Sequence, residues 1–239
     1  IMALRNPTKV TTVIPSAKTL REQDGRTLVA VKHSLDVVKV LNNIGLPAPS
    51  PIKHYYSWPS KYPKPMAHQV ETAAFLIANT KAFCLNGMGS AKTLSSLWGF
   101  HYLRQEGLVD VAIVVAPLST LERTWADEVF QNFYDMDCTV VHGTAARRKK
   151  LLEAPADIYV INHDGVGVVK DELIALMKRK RCVLILDELA VYRNARTQRW
   201  KITRELTVLA YWVWGLTGTP IPNDPCNARS EERRVGKEC

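Results

Sequence analysis

The chain has 239 residues, 46% of them hydrophobic, and a formal net charge of +9. That is enough chain and apolar content to bury a sizeable core in one large domain or two small ones, and no apolar run approaches the ~20 residues of a membrane-spanning helix. No signal-peptide pattern opens the chain, since polar residues rather than an apolar stretch follow Arg5 and Lys9, and the basic balance suits a polyanionic partner.

Residues 1–60 read as an accessory region ending in a linker. Thr27–Val31 predicts a short strand. Ser34 is placed to cap a helix running to Asn43, with Leu35, Val38 and Leu41 on one face and Gly45 as its stop. Pro47, Pro49, Pro51, Pro59, Pro63 and Pro65 then punctuate a stretch holding Tyr55, Tyr56 and Trp58; these aromatics read as packing residues rather than a shield for a ligand.

From Met66 the pattern becomes regular, and residues 61–224 read as one domain. The expected order is helix Ala67–Asn79, strand Ala82–Leu85, helix Ala91–Gln105, strand Val111–Ala116, helix Leu121–Phe133 and strand Cys138–His142. A basic helix Ala145–Leu152 follows, then strand Ile158–Ile161, helix Asp171–Arg179, strand Val183–Leu186, helix Thr197–Leu209 and strand Trp212–Leu216. Apolar strands without alternation, separated by helices, predict an α/β fold with a doubly wound, mostly parallel sheet covered on both faces. Ligands bind such sheets at the carboxyl ends of the strands. Of the five cysteines, Cys84, Cys138 and Cys182 lie in apolar runs, and with Cys226 and Cys239 they form no CxxC pair, so buried thiols in a reducing cytoplasm are expected. The last residues, Arg229–Cys239, match residue for residue the translation of a short-read sequencing adapter. Residues 229–239 are therefore left out of the fold reading, 225–239 read as a truncated end that contains them, and the natural chain is expected to continue past Ala228.

Two stretches carry chemistry. Asn86-Gly87-Met88-Gly89-Ser90-Ala91-Lys92-Thr93 follows a strand and opens a helix, the context of a phosphate-binding loop. Lys92 would reach the β- and γ-phosphates of a nucleotide and Thr93 would hold Mg²⁺. The strict GxxxxGK[ST] pattern fails twice, with Asn86 and Ala91 at its glycine positions. Further on, the apolar run Leu184-Ile185-Leu186 ends in Asp187-Glu188. Asp187 would hold Mg²⁺, and Glu188 would act as general base on the attacking water.

With these motifs in place, residues 64–223 resemble the first RecA-like domain of superfamily 2 helicase-type ATPases, and within them the Swi/Snf-like branch found in bacteriophages. His68-Gln69 is similar to the family's adenine-reading glutamine segment. Ala116-Pro117-Leu118-Ser119-Thr120, with Trp125 and Glu128 after it, resembles a motif that faces nucleic acid, and Asn162-His163-Asp164 falls where the family has another strand-end DNA contact. Asp187-Glu188-Leu189-Ala190 with Arg193-Asn194 resembles the second ATPase motif, and Leu216-Thr217-Gly218-Thr219-Pro220 the third, which couples ATP state to DNA. The resemblance implies ATP and Mg²⁺ as ligands, with Gln69, the loop 86–93 and Asp187 around them. It implies sequence-independent contact with double-stranded DNA at Pro117–Thr120, Asn162–Asp164 and Thr219–Pro220, and coupling through Thr217, Gly218 and Thr219. It also implies an arginine finger on a second RecA-like domain, so this chain alone is expected not to turn over ATP.

Other residues are more ambiguous. Arg147-Arg148-Lys149-Lys150 could touch DNA phosphate, but a solvated helix face is the preferred reading. Trp125 reads as a packing residue rather than a base-stacking platform. His33, His54, His101 and His142 show no metal-ligand spacing. Two alternatives to a DNA translocase stay open: a catalytically weakened nucleotide- or DNA-binding module, which Ala91 suggests, and the motor domain of a restriction enzyme.

Overall fold

The computed structural model describes residues 1–61, 64–87 and 89–218. Met88, Thr219, Pro220 and the stretch 225–239 lie outside the described residues, and with them parts of the expected nucleotide, DNA-contact and coupling sets. The chain divides into two compact units between Ser57 and Trp58.

In the first unit, strand β1 (Met2–Leu4) and helix α1 (Thr8–Thr11) precede β2 (Lys18–Gln23), β3 (Arg26–Ala30), α2 (Leu35–Asn43) and α3 (Ile52–Tyr55). The three strands form an antiparallel sheet in the order β1-β3-β2. Val10, Ile14, Val29 and Leu41 make its small core. Of these strands the sequence reading gives only β3. The signal for the β2–β3 hairpin is Asp24-Gly25, both at positive φ, the dipeptide that a two-residue type I′ turn favours. Helix α2 buries Leu35, Val38 and Leu41 as expected, although the Ser34 side chain makes no capping bond.

The second unit opens with α4 (Ala67–Ala78), β4 (Lys81–Cys84), α5 (Lys92–Gln105) and β5 (Val111–Ala116). A 3₁₀ turn (Leu118–Thr120) and a π-helical turn (Leu121–Ala126) lead into α6 (Asp127–Asn132), β6 (Cys138–Val141), α7 (Ala145–Glu153) and β7 (Ile158–Asn162). Then come α8 (Gly165–Val168), α9 (Lys170–Arg179), β8 (Cys182–Asp187), a second 3₁₀ turn (Leu189–Tyr192), α10 (Gln198–Leu209) and β9 (Trp212–Leu216). The six strands β4 to β9 form one sheet in the order β4-β9-β8-β5-β7-β6, and every pairing is parallel. This is the doubly wound α/β fold that the uniform Val/Ile strands predict.

Both faces are covered. Val111, Ile113 and Val115 cluster with Leu184 and Leu186, and with Leu173, Met177 and Leu206 from α9 and α10. On the opposite face the Trp214 ring rests on α5, where a Cβ at Gly99 would come within 3.2 Å of it. Two-sided cover explains why all six residues of β5 are buried. Helix α5 is buried from Leu94 through Leu103, so its hydroxyls bond inward: Ser95 Oγ donates to the Ala91 carbonyl (3.1 Å) and Ser96 Oγ to that of Thr93 (2.8 Å). Cys138 and Cys182 sit in strands, and burial pushes both thiols up to about 12, which makes them inert rather than reactive.

The strand register brings the motifs together. Cys84 of β4 pairs with Leu216 of β9, Asp187 of β8 pairs with the same Leu216, and Ala116 of β5 pairs with Asn162 of β7. The chain therefore leaves each of these strands at the same edge of the sheet.

Candidate active site

The loop after β4 is held open by its backbone. Gly89 has φ +73° and Ala91 has φ +52° with ψ +42°. The sequence reading begins the helix at Ala91; here Ala91 precedes α5 in the left-handed region, and the helix starts at Lys92. The favourable helix propensity of alanine is therefore irrelevant, and its Cβ meets the left-handed penalty of roughly 1–2 kcal/mol. Position 87 is different: a side chain there would meet open space. Ala91→Gly is expected to strengthen binding of a labelled ATP analogue by roughly 1–2 kcal/mol by removing the methyl group from the loop, whereas relief of the left-handed strain, common to the free and bound protein, raises stability instead. Equal affinity of the two proteins in a titration would refute this.

The same loop is tied to its neighbours. Asn86 Nδ2 donates to Thr72 Oγ1 (2.8 Å), which donates to the His68 carbonyl (2.7 Å). The first residue of the loop is thus pinned to the helix that carries Gln69. The Gln69 side chain is buried, and its Oε1 accepts from the Met66 amide (2.8 Å), which is the return half of a capping box. That bond uses one lone pair of its oxygen and none of its amide N–H groups. The Lys92 ammonium donates to the carbonyls of Asn86 and Gly87, both at 2.8 Å, so its charge lies inside the loop's concavity. Thr93 follows in the first turn of α5.

Across the sheet, Asp187 ends β8. Its Oδ2 accepts from the Trp125 indole N–H (3.1 Å) and its Oδ1 from the Glu188 amide (3.0 Å). Burial raises the Asp187 pKa, against the Trp125 hydrogen bond, the Glu188 amide and the Lys92 charge, which favour the ionised form. Lys92 and Asp187 therefore sense each other electrostatically although they belong to different motifs. Glu188 sits at φ +53°, ψ +65°, a left-handed conformation uncommon for a glutamate and typical of functional sites. It turns the chain sharply off the strand into the Leu189–Tyr192 turn. Gly215 on the neighbouring strand makes room for that turn, since a Cβ there would come 2.4 Å from Leu189 Cδ1.

The segments expected to face nucleic acid divide. Pro117, Leu118, Ser119 and Thr120 lie directly beyond β5, and Leu118 is exposed. Ser119 shares a cleft of about 210 Å³ with Arg123 and His142; the motif-based reading passes over the cationic Arg123, which lies beside that segment. At the end of β7 the picture differs from the expectation. His163 is buried, its Nδ1 against the Tyr192 hydroxyl at 2.8 Å, so it faces protein rather than solvent. Asn162 Oδ1 accepts from Arg148 Nη1 (2.9 Å), and Asp164 pairs with Arg199.

Arg148 is itself a correction, because it is buried and not part of a solvated face. It donates to the carbonyls of Gly143 (2.9 Å) and Val141 (2.8 Å) as well as to Asn162. The signal in the sequence is Leu152, four residues on and also buried, which puts Arg148 on the inward face of α7. Lys149, by contrast, is a surface partner of Glu172 at 2.6 Å. Trp125 is fully buried, consistent with packing. Glu128 bonds Asn132, whose Oδ1 accepts from the Lys61 amide, so it anchors the segment entering the domain. Of the coupling set, Thr217 is buried and its amide donates to the Cys84 carbonyl (3.1 Å), next to the phosphate-loop strand, while Gly218 is half-buried.

A family model described as the SNF2-related domain matches residues 68–229. Among curated proteins, the chain is 28% identical over 145 residues to a Drosophila melanogaster protein. That relative is named the SWI/SNF-related matrix-associated actin-dependent regulator of chromatin subfamily A containing DEAD/H box 1 homolog, and the match covers 57% of this chain and 17% of the relative. It is 29% identical over 158 residues to the ATP-dependent helicase FUN30 of Saccharomyces cerevisiae, covering 62% of this chain and 14% of the relative. The chain thus spans less than a fifth of the length of these relatives. Among solved structures, the Sulfolobus solfataricus SWI2/SNF2 ATPase core in complex with dsDNA superposes with a TM-score of 0.61 at 21% identity, over 74% of this chain and 37% of that one. With the motif-bearing strand ends aligned along one edge of a parallel sheet, the chain belongs to the SNF2-related domain family, the Swi/Snf-like branch of superfamily 2, and carries that family's N-terminal RecA-like domain.

Proposed function

We propose that this chain is the nucleotide-binding half of an ATP-driven motor that moves along double-stranded DNA without reading its sequence. The observation that carries the reading is the shared sheet edge, where the loop 86–93, Asp187-Glu188, Thr217 and the segment Pro117–Thr120 all emerge. In this reading residues 1–60 are an accessory region and 61–224 the motor domain.

The residues present fit Mg²⁺ and a nucleoside triphosphate. The carboxylate at 187 keeps a spare lone pair on each oxygen beside its two accepted hydrogen bonds, and Lys92 stands at a helix N-terminus with its ammonium turned into the loop. Lys92 and the loop amides would hold the phosphates, Thr93 and Asp187 the metal, and Gln69 the adenine edge. When bound, Mg²⁺ supplies charge neutralisation across the β- and γ-phosphates. Glu188 would take the proton of the attacking water. Charge stabilisation by an arginine finger would come from a second RecA-like domain, so nucleotide binding without turnover is expected of this chain. A solved structural neighbour bound to dsDNA supports duplex DNA as the partner, and a cytoplasm is the compartment this reading implies.

The test is DNA binding at several salt concentrations. Phosphate-directed contacts make log affinity fall linearly with log salt, by about 0.9 per phosphate neutralised on duplex DNA, and give no direct readout of bases. Affinities for unrelated duplexes should therefore agree within a few-fold (~1 kcal/mol) at fixed salt, and all should fall together as salt rises. A strong preference for one sequence would count against the motor reading.

A further inference from the structure

Trp125 is the side chain that reaches Asp187 from outside the metal-site motif. Its indole is fully buried, and its N–H donates to Asp187 Oδ2 at 3.1 Å. The Glu188 amide holds the other oxygen. Two donors on two oxygens fix the rotation of the carboxylate plane, and with it the direction of the lone pairs left for a cation.

The position of Trp125 along the chain adds a second fact. It lies in the π-helical turn Leu121–Ala126, where the Asp127 amide bonds back to the Glu122 carbonyl five residues earlier. Such turns hold one residue more than an α-helical turn and recur at functional sites. This turn follows the Leu118–Thr120 turn without a break. One short continuous segment therefore has the Pro117–Thr120 stretch, exposed at Leu118 and Ser119, at one end and a hydrogen bond to Asp187 at the other.

We propose that Trp125 is a positioning residue: its indole N–H orients the Asp187 carboxylate for Mg²⁺ and links that carboxylate to the Pro117–Thr120 segment, so that duplex DNA on the segment changes the Mg²⁺ requirement for nucleotide binding. This rests on the nucleotide- and DNA-binding reading above and adds a residue and a route to it.

The experiment measures binding of a fluorescent ADP analogue to the 239-residue chain across a Mg²⁺ titration, with and without a blunt DNA duplex. Two variants are compared with wild type: Trp125→Phe, and the replacement of Trp125 by β-(3-benzothienyl)alanine, which keeps the ring shape but has sulfur in place of N–H. Removing an outer-shell partner typically costs ~10–100-fold in metal affinity. Both variants should raise the Mg²⁺ midpoint by about that factor while Mg²⁺-free nucleotide affinity stays unchanged, and DNA should shift the midpoint only in wild type. An unchanged midpoint in the isosteric variant overturns the proposal. So does an equal loss of Mg²⁺-free and Mg²⁺-bound affinity with a lower melting temperature, which is what a packing role alone would give. A wild-type midpoint that ignores DNA, or a DNA shift that survives in the variants, overturns the link. If wild type binds no nucleotide at any Mg²⁺ concentration, the nucleotide-binding reading itself falls and takes the inference with it.

Discussion

Glu188→Gln is expected to leave nucleotide affinity within a few-fold of wild type (~1 kcal/mol) and to lower ATP turnover by ~10²–10⁴-fold in the two-domain motor proposed above. The amide is nearly isosteric with the carboxylate and equally compatible with the left-handed backbone at 188, so the turn into Leu189 should survive. What the amide cannot do is accept a proton from water. Lys92→Ala should behave in the opposite way. Its ammonium is directed into the loop by the carbonyls of Asn86 and Gly87, and its loss removes a charged hydrogen-bond donor from the phosphates, worth about 1.5–3 kcal/mol of binding. The pair of variants therefore separates chemistry from binding. Phosphate release and titration of a labelled ATP analogue read the two quantities. Equal nucleotide affinity for wild type and Lys92→Ala would remove Lys92 from the site, and undiminished turnover in Glu188→Gln would remove Glu188 as the base.

The strands and their order of use were legible because their residues are uniformly apolar: Val111–Ala116 and Trp212–Leu216 are strands over the predicted ranges. A strand that must be buried on both faces has little freedom in sequence, and the polar residues at its carboxyl end then stand out. The candidate site was legible to the same extent, since Asp187 and Glu188 end an apolar strand and Lys92 closes a glycine-rich loop at a helix start. What stayed hidden depends on the third dimension. Alanine ranks highest in helix propensity, so nothing in the letters at 91 announces a left-handed residue. Trp125 and Asp187 are 62 residues apart in sequence, and a tryptophan on an apolar helix face gives no sign that its N–H is spoken for. The helix expected over Leu121–Phe133 was found as a π-helical turn and a short α-helix, because propensity speaks for helix in general and not for the hydrogen-bond register. The Asp24-Gly25 turn, in contrast, was readable and marks a hairpin by local chemistry alone.

Arg148→Met is expected to destabilise the protein by about 2–4 kcal/mol, more than any other single change on the surface-like run 147–150. Two effects oppose each other. The guanidinium is buried, and burial pulls its pKa below the ordinary arginine value, which is high enough that the group stays charged at neutral pH. Removing it recovers that desolvation cost, and methionine fills much of the same volume. Against this stand three accepted hydrogen bonds, at the carbonyls of Val141 and Gly143 and at Asn162 Oδ1. Hydrogen bonds to a charged donor contribute about 1.5–3 kcal/mol each, and a buried acceptor left without a partner costs about 1–3 kcal/mol. Water can reach Gly143, which is exposed, but not Val141, which is buried, so the loss outweighs the recovery. The packing leaves little room for adjustment: a Cβ at Gly165 would lie 2.2 Å from Arg148 Nη1 and 2.6 Å from Asn162 Oδ1. Three acceptors spread over the end of β6, the loop after it and the end of β7 need a planar fork of donors, so Arg148→Lys should fare nearly as badly. For a domain of this size each kcal/mol moves the melting temperature by ~2–4 °C, so thermal unfolding should show a fall of about 5–15 °C for Arg148→Met. Arg147→Met, at an exposed neighbour, should stay within about 0.5 kcal/mol of wild type. Equal melting temperatures for Arg147→Met and Arg148→Met would mean that the buried guanidinium holds nothing together, and the run would return to being a solvated helix face.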